Sequence, residues 1–322
     1  MPVMSAPARP HRRAARQLLL GLVPLLVVGL ALAAVLAVRL AAARAPLDAA
    51  TASGVATVQA TGRAPGGRGV AVSLDAGGQD RRGVLVLAAA SDATGIPRGT
   101  RLGVSYDPSD PPGHTAVYID GDAAHKHVQD LVFGLVVLAA VLVVTTTLTA
   151  LRFVSRPRLR RAPPVEVAAS RVVVRQGLLV RSWLELVTPA GIRWLPVHWS
   201  PELATLAPGS AIEVRGDPVR GRLVLPVVDG AELWPSGRLR RGAPRGSREV
   251  ADPLPETTGT GWARQVRVDA VLLAIAPVLG LLWAYVDGTG VGGFVVATLV
   301  VAGVLFWLPQ LLGSDPAPPD RE

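Results

Sequence analysis

The chain of 322 residues contains no cysteine. That excludes disulfides, thiolate nucleophiles, zinc ribbons and iron–sulfur clusters, and it leaves the redox compartment unread. Lysine is almost missing as well. Lys126 is the only one, so the net charge of +9 rests almost wholly on arginine. The familiar catalytic signatures are also lacking: no G-x-S-x-G, H-E-x-x-H or Walker loop occurs. The "GVGG" at Gly290 reads as part of a turn between apolar runs, not as a phosphate loop.

What is present is apolar. Half of the residues are hydrophobic, which points to a membrane class. Four apolar runs reach the roughly twenty residues that cross a hydrocarbon core of about 30 Å. They are Leu18–Val38, Leu131–Leu151, Val268–Val286 and Gly293–Leu312. The last two are joined by "DGTGVG" and read as a helical hairpin. Small residues at Ala41, Ala43 and Ala45 would suit a signal peptidase, but the first run is longer than a signal-peptide core. An uncleaved anchor is the preferred reading.

Orientation follows from the arginines. The N-terminal tail, 1–17, carries Arg9, Arg12, Arg13 and Arg16 and no acid. Nine basic and nine acidic residues balance between the first two runs. Between the second and third runs stand nineteen arginines and far fewer acids. Five of them, Arg152, Arg156, Arg158, Arg160 and Arg161, directly follow the second run. Both termini and the second loop are thus expected in the cytoplasm of an inner (plasma) membrane, with the first loop outside. The charge is then a topology signal, with contacts to anionic lipid, and nucleic acid binding is not expected. The arginine and alanine bias is of the kind a GC-rich bacterial genome produces.

The two loops read as small antiparallel β domains. The outer one, 45–129, has β-like runs such as "GVATVQA", "GVAVSL" and "GVLVLAA", separated by Gly, Pro and Asp clusters. The inner one, 170–236, lies between a Pro/Arg linker at 152–169 and a polar linker at 237–262, and a tail follows at 313–322. The inner domain is expected to hang on flexible tethers. The fold class is therefore four transmembrane helices plus two small β domains, one on each side. "GTRLGVSYDP", starting at Gly99, and "GSAIEVRGDP", starting at Gly209, share G-x4-V-x2-D-P and read as a duplicated β unit.

Few residues invite chemistry. Asp107 and Asp110, with Asp120 and Asp122, lack the alternation of a calcium loop. An Asp-Pro after a strand is better suited to starting a turn. His125 and His127 beside Asp120 and Asp122 raise the idea of a metal site, yet they lead into a helix, where alternate residues do not share a face. His198 has no partner at readable spacing. Trp183, Trp194, Trp199 and Trp234 offer either a stacking surface or the core of a β domain; Trp262, Trp283 and Trp307 suit membrane interfaces. Asp269 sits at the edge of the third run, and the spans otherwise lack the ionisable groups that ion-coupled transport uses. Small residues at Gly29, Ala33, Ala37, Gly293, Ala297, Thr298 and Ala302 suit close helix packing, within the chain, in a homo-oligomer or with a protein partner. No catalytic, cofactor-binding or metal site is assigned.

Val104, Tyr106, Asp107, Pro108, Asp110 and Pro111 fit a "V-x-Y-D-P-x-D-P" ending just before the second span. In this the stretch from Leu18 to Leu151 resembles a bacterial family of membrane proteins known only as a domain of unknown function. The resemblance implies a membrane location and no known catalytic activity, and it carries over no functional residue. The expected role is non-enzymatic: interaction, scaffolding or envelope sensing. The alternative is an accessory subunit of a transport or export complex.

Overall fold

A computed structural model describes residues 12–63, 66–76, 79–111, 115–253 and 261–316. Residues 1–11 of the N-terminal tail (Arg9 among them), the Pro112–Gly113 end of the Asp-Pro stretch, part of the second linker and residues 317–322 lie outside them. The chain divides into two compact units, Leu30–Ala140 and a second built from Met1–Gly29 with Val141–Glu322.

The first helix, α1 (Arg12–Ala49), has 38 residues, more than a bilayer core requires. In the Leu30–Ala140 unit it leads to β1 (Ala52–Arg63), β2 (Gly69–Ala76), β3 (Gln79–Val86), the short α2 (Ala90–Thr94), β4 (Arg101–Tyr106) and β5 (Thr115–Tyr118). These strands close into a barrel in the order β1-β2-β3-β5-β4. Closure leaves no sheet edge unpaired. One pair, β3 with β5, is parallel, so the domain is not wholly antiparallel as the hairpin-like sequence suggests. Alternation sets the inside: Ala56 and Val58 are buried while Val55 is 53% exposed. Val70, Val72, Leu74, Leu85, Val104 and Val117 complete the core. Strand count and connectivity are those of OB-type Greek-key barrels, a fold type that by itself assigns no ligand.

Helix α3 (Ala123–Arg158) follows, then a tighter turn at Leu159–Arg161. The second unit's sheet comprises β6 (Pro164–Gln176), β7 (Leu179–Thr188), β8 (Gly191–Val197), β9 (Ser210–Arg215), β10 (Leu225–Val228), β11 (Ala231–Glu232) and β12 (Ser247–Val250), with the four-residue α4 (Pro201–Ala204) between β8 and β9. Its order is β11-β10-β9-β6-β7-β8, with β12 also on β6. Residues 152–169 are therefore helix and strand where the sequence suggested a linker, and β12 lies inside the second expected linker. After β11 the chain bonds back to β8, His198 N–H to Trp234 O at 2.9 Å and Ser236 N–H to Pro196 O at 2.8 Å.

The two sheets follow one path. Each makes a three-strand meander, then a short helix, then a strand returning beside the first, then a hairpin partner. The repeated Asp-Pro stretch makes the hairpin turn in both. Asp107 accepts the N–H of Ser109 at 2.8 Å, and Asp217 accepts that of Val219 at 2.8 Å.

The third apolar run is not one uniform helix. It comprises α5 (Trp262–Ala270), a tighter turn at Val271–Ile275 and α6 (Ala276–Asp287). Pro277, in the first turn of α6, has no N–H to continue the α pattern backwards. Helix α7 (Gly290–Leu312) begins two residues after α6. The "GVGG" thus forms the first turn of α7 instead of a loop. Four helices, Arg12–Ala49, Ala123–Arg161, Trp262–Asp287 and Gly290–Leu312, are long and apolar enough to cross a membrane.

Within the second unit the sheet is packed onto helix ends. Leu225 and Trp234 of the sheet share one buried cluster with Leu18, Leu22 and Leu25 of α1 and Trp307 and Leu311 of α7. The domain expected on flexible tethers is held by contact instead. Helices approach closely at small residues: a Cβ on Gly303 would lie 2.5 Å from Leu25, and one on Gly280 would lie 2.9 Å from the backbone nitrogen of Thr298.

Candidate functional site

The carboxylates singled out in the outer loop are tied into local turns. Asp107 also accepts the Ser109 hydroxyl at 2.7 Å. That bond, with the Ser109 N–H, holds its pKa below the usual carboxylate value. Asp110 accepts Ala116 N–H at 3.0 Å, while Arg81 donates to the Pro108 and Asp110 carbonyls at 3.3 and 3.1 Å. Asp122 caps α3: it accepts the N–H of His125 at 2.8 Å and that of Ile119 at 3.1 Å, and meets the His125 ring at 3.0 Å. Asp120 and His127 are exposed. Among the described residues no three His, Cys, Asp or Glu group closely enough to hold a metal ion.

The four inner tryptophans, Trp183, Trp194, Trp199 and Trp234, are all buried, so none offers an open stacking surface. Trp199 instead meets a charge from the far end of the sequence. The Arg13 guanidinium lies 4.1 Å from its ring centroid and 5.0 Å from that of Trp262.

The most polar buried region lies where the sheet of the second unit meets α1, α5 and α7. It is organised around "GSD", Gly313 to Asp315. Gly313 ends α7 in the left-handed conformation, φ 74°, which glycine adopts without strain. It also lies against the sheet: an added Cβ would stand 2.8 Å from Ser236 Cβ. Ser314 then forms a bridge with Arg181, and Asp315 N–H donates to Val180 O at 2.8 Å.

The side chains complete the lock. Asp315 accepts from Arg171 at 2.9 Å and from the Ser182 hydroxyl, all three groups buried. Gln17 of α1 donates to Ser314 O at 3.1 Å and to its hydroxyl at 3.2 Å, and its own carbonyl lies 3.2 Å from His198 Nδ1. Gln265 of α5 donates to Ser314 Oγ and to Asp269 Oδ2, both at 2.7 Å. Gln310 of α7 donates to the same Asp269 oxygen at 2.7 Å. The buried face of α5 is thus the polar one, Gln265 and Asp269 at four-residue spacing, and its arginines Arg264 and Arg267 are exposed.

This arrangement fixes elements more readily than it transforms a substrate. Two amide donors hold the Asp269 carboxylate, a guanidinium and a hydroxyl hold that of Asp315, and His198 is engaged by an amide. In the sequence alone His198 has no partner at readable spacing, and Asp315 falls in the 313–322 tail. Asp269 shows there only as an acid at the edge of a span. The available signal is two acids, three glutamines and a serine at the ends of apolar runs, where every polar group needs a partner. Their partners lie up to 297 positions away, which no local pattern reveals.

Among the described residues the fold therefore comprises four helices compatible with membrane crossing, one five-stranded barrel and one seven-stranded sheet. No family model, curated protein or solved structure matches it.

Proposed function

We propose that this chain is a non-enzymatic, multi-pass protein of the plasma membrane that presents its sheet domain as a fixed interaction platform on the cytoplasmic face. The arginine distribution supports this sidedness, with both termini cytoplasmic and the barrel outside. The resemblance of Leu18–Leu151 to a membrane family of unknown function fits this location. The observation that carries the reading is the lock at Gly313–Asp315, which joins α1, α7 and the sheet through buried polar contacts. A domain held in this way keeps its orientation to the bilayer, as a scaffold requires.

The test is in-cell cross-linking followed by purification of the full chain in mild detergent and mass spectrometry. A partner recovered with the wild type and lost with Asp315→Ala, at equal protein level, is the expected result. Purification without any stoichiometric partner would sink the scaffold reading. An accessory role in a transport or export complex is the second reading. It draws on α7, of whose apolar stretch only 6% is buried within the chain; a transporter as the recovered partner would favour it.

A further inference from the structure

Arginines of the second unit converge where their positions in sequence do not require it. Arg152 and Arg156 of α3 and Arg181 of β7 all donate to the same two residues. Arg156 Nε donates to Pro235 O at 2.9 Å, Arg181 Nη2 to Ser236 Oγ at 3.2 Å, and Arg152 to Ser236 O. Arg181 and a fourth arginine, Arg240, lie 5.3 and 5.5 Å from the ring centroid of Trp183.

Among the described residues no ion pair involves these four arginines. Acids pair instead with other arginines, as in Arg160–Glu232, Arg171–Asp315 and Arg215–Glu213. Yet Arg156 and Arg181 are only 5% and 7% exposed, and Arg181 Nε is a buried donor without an acceptor. The Nε1 atoms of the neighbouring Trp183 and Trp234 are buried donors without acceptors too. Burial, then the charges of Arg240 and Arg152, pull the Arg181 pKa down to about 10. Burying like charges together without a counter-ion is costly. A bound anion with several acceptor oxygens would offset that cost, and guanidinium forks suit phosphate oxygens.

We propose that Arg152, Arg156 and Arg181, converging on Pro235–Ser236 with Arg240 at the rim, form a binding site for a phosphate group. Arg152 immediately follows the apolar run Leu131–Leu151, so the site sits at the depth of lipid headgroups. The phosphate can come from an anionic phospholipid or from a free phosphate, and the experiment separates the two.

Full-length protein in an uncharged detergent is melted at constant ionic strength with dioctanoyl phosphatidylglycerol, dioctanoyl phosphatidylcholine, inorganic phosphate or chloride. A saturating ligand of this site raises the midpoint by roughly 5 °C. Phosphatidylglycerol alone active marks a headgroup site, inorganic phosphate alone a soluble one, and both active a site open to either. Any of these supports the proposal if Arg181→Met abolishes the rise and exposed Arg158→Gln retains it. Arg152→Gln serves the same purpose should Arg181→Met fail to fold. No rise with phosphatidylglycerol or inorganic phosphate, an equal rise with chloride or with phosphatidylcholine, whose own choline cancels the phosphate charge, or an undiminished rise in both site variants overturns it.

Discussion

Arg171 and Asp315 stand 144 positions apart in the chain and form a buried ion pair at 2.9 Å. Removing one partner strands the other charge. Asp315→Ala is therefore expected to lower stability by about 3–5 kcal/mol, and Arg171→Met with Asp315→Leu by much less. Thermal unfolding of the full chain in detergent measures both. Equal losses from the single and double variants would show that the pair is not the source.

Asp269 offers a milder case, because its partners are neutral. Asp269→Leu removes the acceptor that the Gln265 and Gln310 amides share and leaves Gln265 only Ser314, at a cost on the order of 2–4 kcal/mol. Asp269→Asn keeps one acceptor oxygen and is expected to recover more than half of it. If the asparagine variant is as unstable as the leucine one, hydrogen bonding is not what holds this position.

Helix packing gives a graded comparison. A Cβ on Gly280 meets backbone atoms of Thr298 at 2.9 and 3.0 Å, whereas one on Gly134 meets only Leu36 Cδ1 at 3.8 Å. Gly280→Ala should lower the melting midpoint by several degrees. Gly134→Ala should leave it level or raise it, since alanine gains up to about 1 kcal/mol over glycine inside a helix. A reversed order would mean that α6 and α7 do not pack at Gly280.

The lack of cysteine makes sidedness easy to probe. Arg98 and Arg248 are both exposed, the first in the barrel unit and the second on β12. With a membrane-impermeant maleimide on intact cells, Arg98→Cys should label and Arg248→Cys should label only after lysis. The opposite pattern would invert the proposed topology.

The two Asp-Pro turns predict an acid limb. Asp107 and Asp217 both have pKa values lowered from 3.8 by local hydrogen bonds, Ser109 for the first, and the N–H groups of Arg220 and Val219 for the second. A lowered folded-state value means the contribution is complete above the ordinary value and fades as pH falls through the folded one. Neither carboxylate is buried, so the effect is small. Asp107→Asn with Asp217→Asn should flatten the fall of the melting midpoint below about pH 4. An unchanged profile would count against these turns as stabilising elements.

The spans and most strands were legible because they rest on local pattern: long apolar runs, period-two alternation, and Asp-Pro turns. The Asp107 turn was legible for the same reason, since its bond reaches only two residues on. Three features were not. The parallel β3–β5 pair depends on barrel closure, which no strand encodes alone. The break before α6 rests on a single proline inside an otherwise continuous apolar run. The lock at Ser314 and Asp315 draws on Gln17, Arg171, Ser182 and Gln265, so each residue alone looks like an ordinary polar residue of a tail, a strand or a helix end.

The position of that lock bears on when the protein can finish folding. Arg171 leaves the ribosome about 7–30 s before Asp315, at about 5–20 residues per second. During that interval the sheet can form its strands, but it carries a guanidinium with no counter-charge and a surface that α7 has yet to cover. Docking of the sheet thus waits until residues 313–315 have been made. A chain cut short before Gly313 would keep its hydrophobic spans and lose the clasp, leaving a half-docked domain for quality-control proteases to recognise.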